Sequence, residues 1–184
     1  IESFYIKGSV DLELEPLEHE NLQELVIICG GLPSSVIQQI QKAKLPNLRK
    51  LELYLGVEGY GFDGNLADDV LPFLYNNPFP KLTSLGLKDS EIQDDIALAA
   101  AKAPVLAQLD ELDLSEGTLS DTGAEALLNS EAVRTLKRLN LNYHYMSDEM
   151  MMKMHRFAEK AGVLITMDEQ QDLGEEWRYP SLTE

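Results

Sequence analysis

Residues 109–128 read LDELDLSEGTLSDTGAEALL, and the spacing within this stretch decides the fold. Leu112 and Leu114 stand two apart, so in an extended chain they point to the same side. Leu109 enters from the preceding turn and joins that side. Gly117 marks a turn and Leu119 restores an apolar position. From Ser120 onward Gly123, Ala124, Leu127 and Leu128 fall on one face of a helix, with Ser120 as a natural N-cap. The unit is therefore a short strand, a turn and a helix. One such unit cannot bury its own leucines and needs a stacked copy on each side.

Copies exist. The triplet recurs as Leu22/Leu25/Ile27, Leu48/Leu51/Leu53, Leu82/Leu85/Leu87, Leu109/Leu112/Leu114 and Leu136/Leu139/Leu141, at steps of 26, 34, 27 and 27 residues. Three of the four steps fall in the range of about 20–29 residues that marks leucine-rich repeats. Over residues 20 to 167 the chain resembles the ribonuclease-inhibitor-like subfamily of leucine-rich repeat proteins. It is also similar to bacterial cytoplasmic leucine-rich repeat proteins of unknown function. The resemblance implies an α/β, right-handed leucine-rich repeat solenoid, with a parallel sheet on the concave side and helices on the convex side. One departure stands out. The asparagine that usually closes the strand turn is replaced by Gly30, Gly56, Ser90, Gly117 and His144. The side-chain ladder under the turns should weaken, while the leucine stack stays intact.

Residues 1–184 read as a single domain of ordinary size. Residues 1–21 do not match the repeat. Phe4-Tyr5-Ile6 and Val10-x-Leu12-x-Leu14 suggest short strands around a turn, forming an N-terminal cap or a truncated repeat. Residues 22–167 hold five repeats plus a final strand, Val163 to Met167. The spacing predicts helices near 34–43, capped by Ser34 or Ser35, near 66–75, disturbed by Pro72, and near 94–102. Two more should begin after Ser120 and after Ser147, the last stopping at Gly162. Residues 168–184 form an acidic C-terminal cap or tail, whose Trp177 and Tyr179 argue that part of it docks.

The chain carries 32 acidic and 15 basic residues, a net charge of −17. Such a surface repels phosphate backbones and anionic lipid, so neither nucleic acid nor membrane is the expected partner. No apolar run reaches the length of a membrane span. The one cysteine, Cys29, excludes an internal disulfide and favours a cytoplasmic, reducing setting. It reads as a structural thiol, with no activating pattern around it. His19, His144 and His155 are separated by the repeat geometry, so no metal site is expected. No nucleophile–base pair appears, and no cofactor is expected.

One motif tests that reading. Gly59-Tyr60-Gly61-Phe62-Asp63-Gly64 matches G-x-G-x-x-G between a predicted strand and a predicted helix, with Asp89 further on. Strand–helix alternation is common to both folds, however. The leucine ladder explains the strands without a cofactor, and the 34-residue step makes the glycines an insertion. Crowded Met146, Met150, Met151, Met152 and Met154 have helical spacing and read as core rather than as an adaptable binding face.

The sequence thus points to a non-enzymatic protein-binding scaffold that uses the concave face and the 56–64 loop. The alternatives are a nucleotide-binding enzyme using the Gly59–Gly64 loop and a structural or regulatory segment of a larger protein. Strand positions flanking the leucines face outward and mix signs, with Glu111 beside Arg138 and Glu52 and Asp113 near Lys88. The loop should project from the rim and expose Tyr60 and Phe62, aromatics suited to anchoring a partner. The expected contact patch is Tyr54, Tyr60, Phe62, Lys50 and Lys88.

Overall fold

A computed structural model describes residues 1–8, 12–174 and 177–182. Seven strands form one open, all-parallel sheet whose spatial order is the sequence order. They are β1 (Ser3–Lys7), β2 (Glu24–Ile28), β3 (Lys50–Gly56), β4 (Ser84–Ser90), β5 (Glu111–Asp113), β6 (Arg138–Asn140) and β7 (Leu164–Thr166). Parallel neighbours need a crossover, and helices supply most of them. α1 (Ser34–Gln41) joins β2 to β3, α2 (Gln93–Ala100) joins β4 to β5, α3 (Asp121–Leu128) joins β5 to β6 and α4 (Asp148–Ala161) joins β6 to β7.

The leucines set the register. Phe4, Leu25, Leu51, Leu85, Leu112, Leu139 and Ile165 lie side by side across the seven strands. From Leu25 to Leu139 this row is buried, and it joins Val36, Ile37, Ile96, Ala124, Leu127 and Met154 from the helices in one continuous core. Met146, Met150 and Met154 are core residues, whereas Met152 is exposed. β1 pairs in parallel with β2, Phe4 opposite Leu25 and Ile6 opposite Ile27. It continues the sheet instead of turning back into a hairpin. Leu12 and Leu14 pack partly buried against the core without forming a strand, and Val10 lies outside the described residues.

The turns replace the missing asparagines with main chain. The Val57 amide donates to Gly30 O (3.0 Å), Glu91 N to Gly56 O (3.4 Å) and Thr118 N to Ser90 O (3.1 Å). Asp89, Glu116 and Tyr143, spaced 27 residues apart, each adopt a left-handed backbone with φ of 53°, 67° and 57°. That conformation is uncommon outside glycine. Its recurrence at the full repeat step makes it part of the turn design.

One local expectation is corrected and another refined. The cap of α1 is Pro33, in extended conformation, with no side-chain hydrogen bond of its own. The Ser34 amide is satisfied by Asp63 Oδ1 (2.7 Å) and its hydroxyl by Asp69 Oδ1 (2.6 Å), carboxylates from the next crossover. The helix expected near 66–75, disturbed by Pro72, is in place but π-wound, as the segments Leu66–Val70 and Pro72–Asn76. Pro72 has no amide proton to give, so regular helical bonding is interrupted there. Gln41 Nε2 donates to Asp68 O (3.0 Å) and Asp69 O (2.9 Å), tying this segment to α1. No helix among the described residues is long and apolar enough to cross a membrane.

Candidate functional site

The leucine-bearing face of the sheet is closed by helices. Side chains of the opposite face pair with one another across the strands. Lys50 bridges Glu24 (3.1 Å) and Glu52 (2.9 Å), and Arg138 Nη2 meets Glu111 Oε2 at 2.9 Å. Lys88 reaches Asp113 (3.3 Å) and donates to the Tyr54 hydroxyl (3.0 Å). Burial works against the charge on Lys88, yet Asp113 and then Tyr54 hold its pKa above the ordinary lysine value. Burial likewise opposes the Lys50 charge and is overcome by Glu52 and Glu24. Arg138, above all, holds Glu111 below the usual carboxylate range. Every one of these charges is compensated by a neighbour on the same face.

At the carboxyl ends of the strands the arrangement differs. After β3 the chain makes a 3₁₀ turn, Glu58–Tyr60, closed by Gly61 at φ 115°. Glu58 N donates to Glu91 Oε1 (2.8 Å). The turn lies directly on Gly31, where a Cβ would collide with the main chain of Tyr60 and Gly61. The loop is thus clamped onto the neighbouring crossover. Phe62 turns inward and is 3% exposed, whereas Tyr60 stays 44% exposed.

Beside that loop, residues 177–182 run back across the strand ends as a strap. The Tyr145 hydroxyl donates to Tyr179 O and accepts from Tyr179 N, both at 3.0 Å. Ser181 N donates to Glu116 O (2.7 Å) and Leu182 N to Asp89 Oδ1 (2.7 Å). The strap therefore follows the row of left-handed turns from the end of β6 to the end of β4. Asp89 is fully buried beneath it, and its Oδ2 has no hydrogen-bond partner among the described residues. Burial pushes its carboxyl up to about 7, against the pull of the Leu182 amide.

Two grooves flank the strap. One, of about 680 Å³, is lined by Tyr60, Tyr143, Trp177 and Tyr179 together with Val57 and Pro180. Burial, reinforced by Tyr145, pushes the Tyr143 hydroxyl up to about 12, so it stays protonated at neutral pH. The other, of about 720 Å³, is lined by Glu91, Asp94, Asp95, Asp121 and Asp172, with Arg178 at its edge. Arg178 lies 3.8 Å from Asp94 and 5.7 Å from the Tyr145 ring centroid.

The expected patch is therefore divided. Tyr60 is presented to solvent. Phe62 is not: the insertion has to fill its own interior, and the ring packs beside Gly64 in the core. Lys88 is buried and committed to Asp113, and Lys50 is held between two glutamates. Tyr54 lies on the sheet face under Lys88 Nζ, 4.7 Å from its ring centroid. The strap that completes the surface around Tyr60 eluded periodicity, since its contacts use main chain and span up to 93 residues. The only available signal was its aromatic content. His144 is a buried structural residue whose Nδ1 accepts from Met146 N and whose Nε2 pairs with Met167 O, both at 3.1 Å. Cys29 is buried, its thiol directed at Gly31 O (3.3 Å). Among the described residues, no three His, Cys, Asp or Glu side chains converge as metal ligands would.

No family model and no curated protein matches the chain. It is similar to a Bacteroides fragilis protein whose crystal structure was determined as a structural-genomics target, with a TM-score of 0.76 and 36% identity. The match covers 90% of this chain and 46% of that one, so the chain spans about half the length of the protein it resembles.

Proposed function

We propose that the chain is a right-handed leucine-rich repeat solenoid of the ribonuclease-inhibitor-like type, acting as a non-enzymatic protein-binding scaffold. The repeat step, the register of the leucine row and the one-sided helices support the fold assignment, and parallel crossovers are right-handed by strong preference. The observation that carries the functional reading is the aromatic groove at the strand ends, which Tyr60, 44% exposed, and Trp177, 66% exposed, line together. Exposed aromatics on a rigid frame are favoured interface anchors. The acidic surface favours a protein partner over nucleic acid or membrane, and the single buried thiol suits a cytoplasmic setting.

A nucleotide site at the Gly59–Gly64 loop draws no comparable support. Gly64 approaches the Asp69 carboxylate so closely that a Cβ there would lie 2.8 Å from its Oδ2. A phosphate placed against that carboxylate would be repelled. The test is affinity capture with the purified chain and with Tyr60→Ser, an exposed position. A partner retained by the wild type and lost by Tyr60→Ser at unchanged melting temperature supports the reading. Saturable binding of ATP or NAD with a thermal shift sinks it.

A further inference from the structure

The strap makes the contacts of a bound peptide. Its polar attachments are mostly main chain: the amides of Tyr179, Ser181 and Leu182 meet the Tyr145 hydroxyl, Glu116 O and Asp89 Oδ1. Within it only Pro180 is buried, while Trp177, Arg178, Tyr179 and Ser181 are exposed. A segment with so little apolar burial adds little to the core and is exchangeable. The surface below it is strongly built. At and beside three left-handed turns of equal spacing, the strap meets a side-chain oxygen of Asp89, the carbonyl of Glu116 and, two residues past Tyr143, the hydroxyl of Tyr145. Asp89 faces the strap fully buried, with one oxygen engaged by Leu182 N and the other unpartnered among the described residues. A buried unpaired acceptor is costly, and an occupant bringing one more donor would relieve it. The flanking acidic groove is only partly answered by Arg178 at 3.8 Å. The aromatic groove continues past Tyr179 toward Tyr60.

We propose that the row of left-handed turns is a docking track for an extended peptide of a partner protein, one carrying an arginine followed by an aromatic–proline pair, and that residues 178–182 are its resident occupant. The arginine enters the groove of Asp94 and Asp95. The aromatic ring lies between Tyr145 and Tyr60, and the proline takes the position of Pro180. Main-chain amides beyond it reach Glu116 and Asp89. The resident segment competes from within the same chain at high effective concentration, so it weakens any incoming peptide until displaced. This inference rests on the protein-binding reading above and names the partner class for that site.

The test uses the full chain and a labelled, end-blocked hexapeptide Trp-Arg-Tyr-Pro-Ser-Leu, the sequence of residues 177–182. Leu182→Pro removes the amide that meets Asp89, and Arg178→Glu repels the acidic groove. Both lie in the exposed strap, and melting temperatures check that the core is unaffected. Fluorescence anisotropy should show each variant binding the peptide at least about tenfold more tightly than the wild type. Peptides with alanine for the arginine or for the proline should bind at least about tenfold more weakly. Equal affinity of wild type and both variants overturns the proposal, as does indifference to the alanine changes. Concentration-dependent dimerisation of the wild type, abolished by the same variants, would give the track to a second copy's tail and also overturn it. If the hexapeptide fails while Tyr60-dependent capture persists, the inference falls and the scaffold reading stands. If capture is absent too, both fall.

Discussion

Asp94 holds both the backbone amide and the hydroxyl of Ser120, at 2.8 and 2.6 Å, although the two residues belong to successive crossovers. Asp121 repeats the arrangement on Ser147, with both bonds at 2.7 Å. Each serine also caps its own helix, Ser120 accepting from Thr122 N and Ser147 from Met150 N. The carboxylate at one helix start thus fixes the cap of the next. Asp121 further adds negative charge to the first turn of α3, where the helix dipole favours it.

Asp121→Ala should therefore cost more than an ordinary surface change. It removes two charge-assisted hydrogen bonds and loosens the Ser147 cap. Such bonds are worth about 1.5–3 kcal/mol each, less where water can replace the lost partner. A destabilisation of about 2 kcal/mol in urea titration is expected. A change below about 0.5 kcal/mol would show that these contacts are incidental.

Leu112 is fully buried, with Leu85 and Leu139 as its strand neighbours. Leu112→Ala leaves a cavity between successive units and should cost about 2–5 kcal/mol. Because each unit leans on its neighbours, the melt should remain a single shifted transition. Unfolding that splits into independent halves would contradict that coupling.

How much was legible follows from what each residue type repeats. The leucine triplets reveal the strands, their order and the core, because burial on one face enforces strict spacing. Ser120, Ser147 and Gly162 mark helix ends through local chemistry, and the structure places all three there. Phe62 has no legible orientation in the sequence, because an insertion breaks the period and nothing local says whether its ring points in or out. The Asp94–Ser120 ladder was present as Ser-Asp pairs at 120–121 and 147–148, yet its bonds cross between units. Trp177 and Tyr179 signal that part of the tail docks, but not its path or the burial of Asp89, since a main-chain amide bonded across 93 residues leaves no pattern in side-chain type.

The two loop aromatics now separate experimentally. Phe62→Ala should cost about 3–5 kcal/mol, the range for emptying a buried aromatic site. Tyr60→Ser should change stability by less than about 0.5 kcal/mol, as for exposed positions away from special features. Differential scanning calorimetry on the two single variants decides the matter. Equal losses would place both rings in the core.

Two buried titratable groups act in opposite directions on pH dependence. Burial lowers the pKa of His144, so the folded state prefers it neutral. Its contribution is present above the unfolded value of about 6.5 and is lost as pH falls through the depressed folded value. Asp89 is the reverse. Its carboxyl rises from 3.8 to about 7, burial first, with Glu116 pushing the same way and Lys88 and the strap amides opposing. Its contribution is fully present below pH about 4 and is lost as pH rises through about 7. At roughly 1.4 kcal/mol per unit, reduced by partial solvent screening, the ionised form costs on the order of 2 kcal/mol above pH 7. Asp89→Asn keeps an acceptor for Leu182 N and cannot ionise. It should be more stable than the wild type at pH 8 and similar at pH 4. The gap should open between those values while the His144 contribution cancels between the two proteins. Chemical denaturation of both proteins at pH 4, 6 and 8 measures it directly. A wild type that matches Asp89→Asn at pH 8 would mean that Asp89 is solvated and that the strap does not seal it.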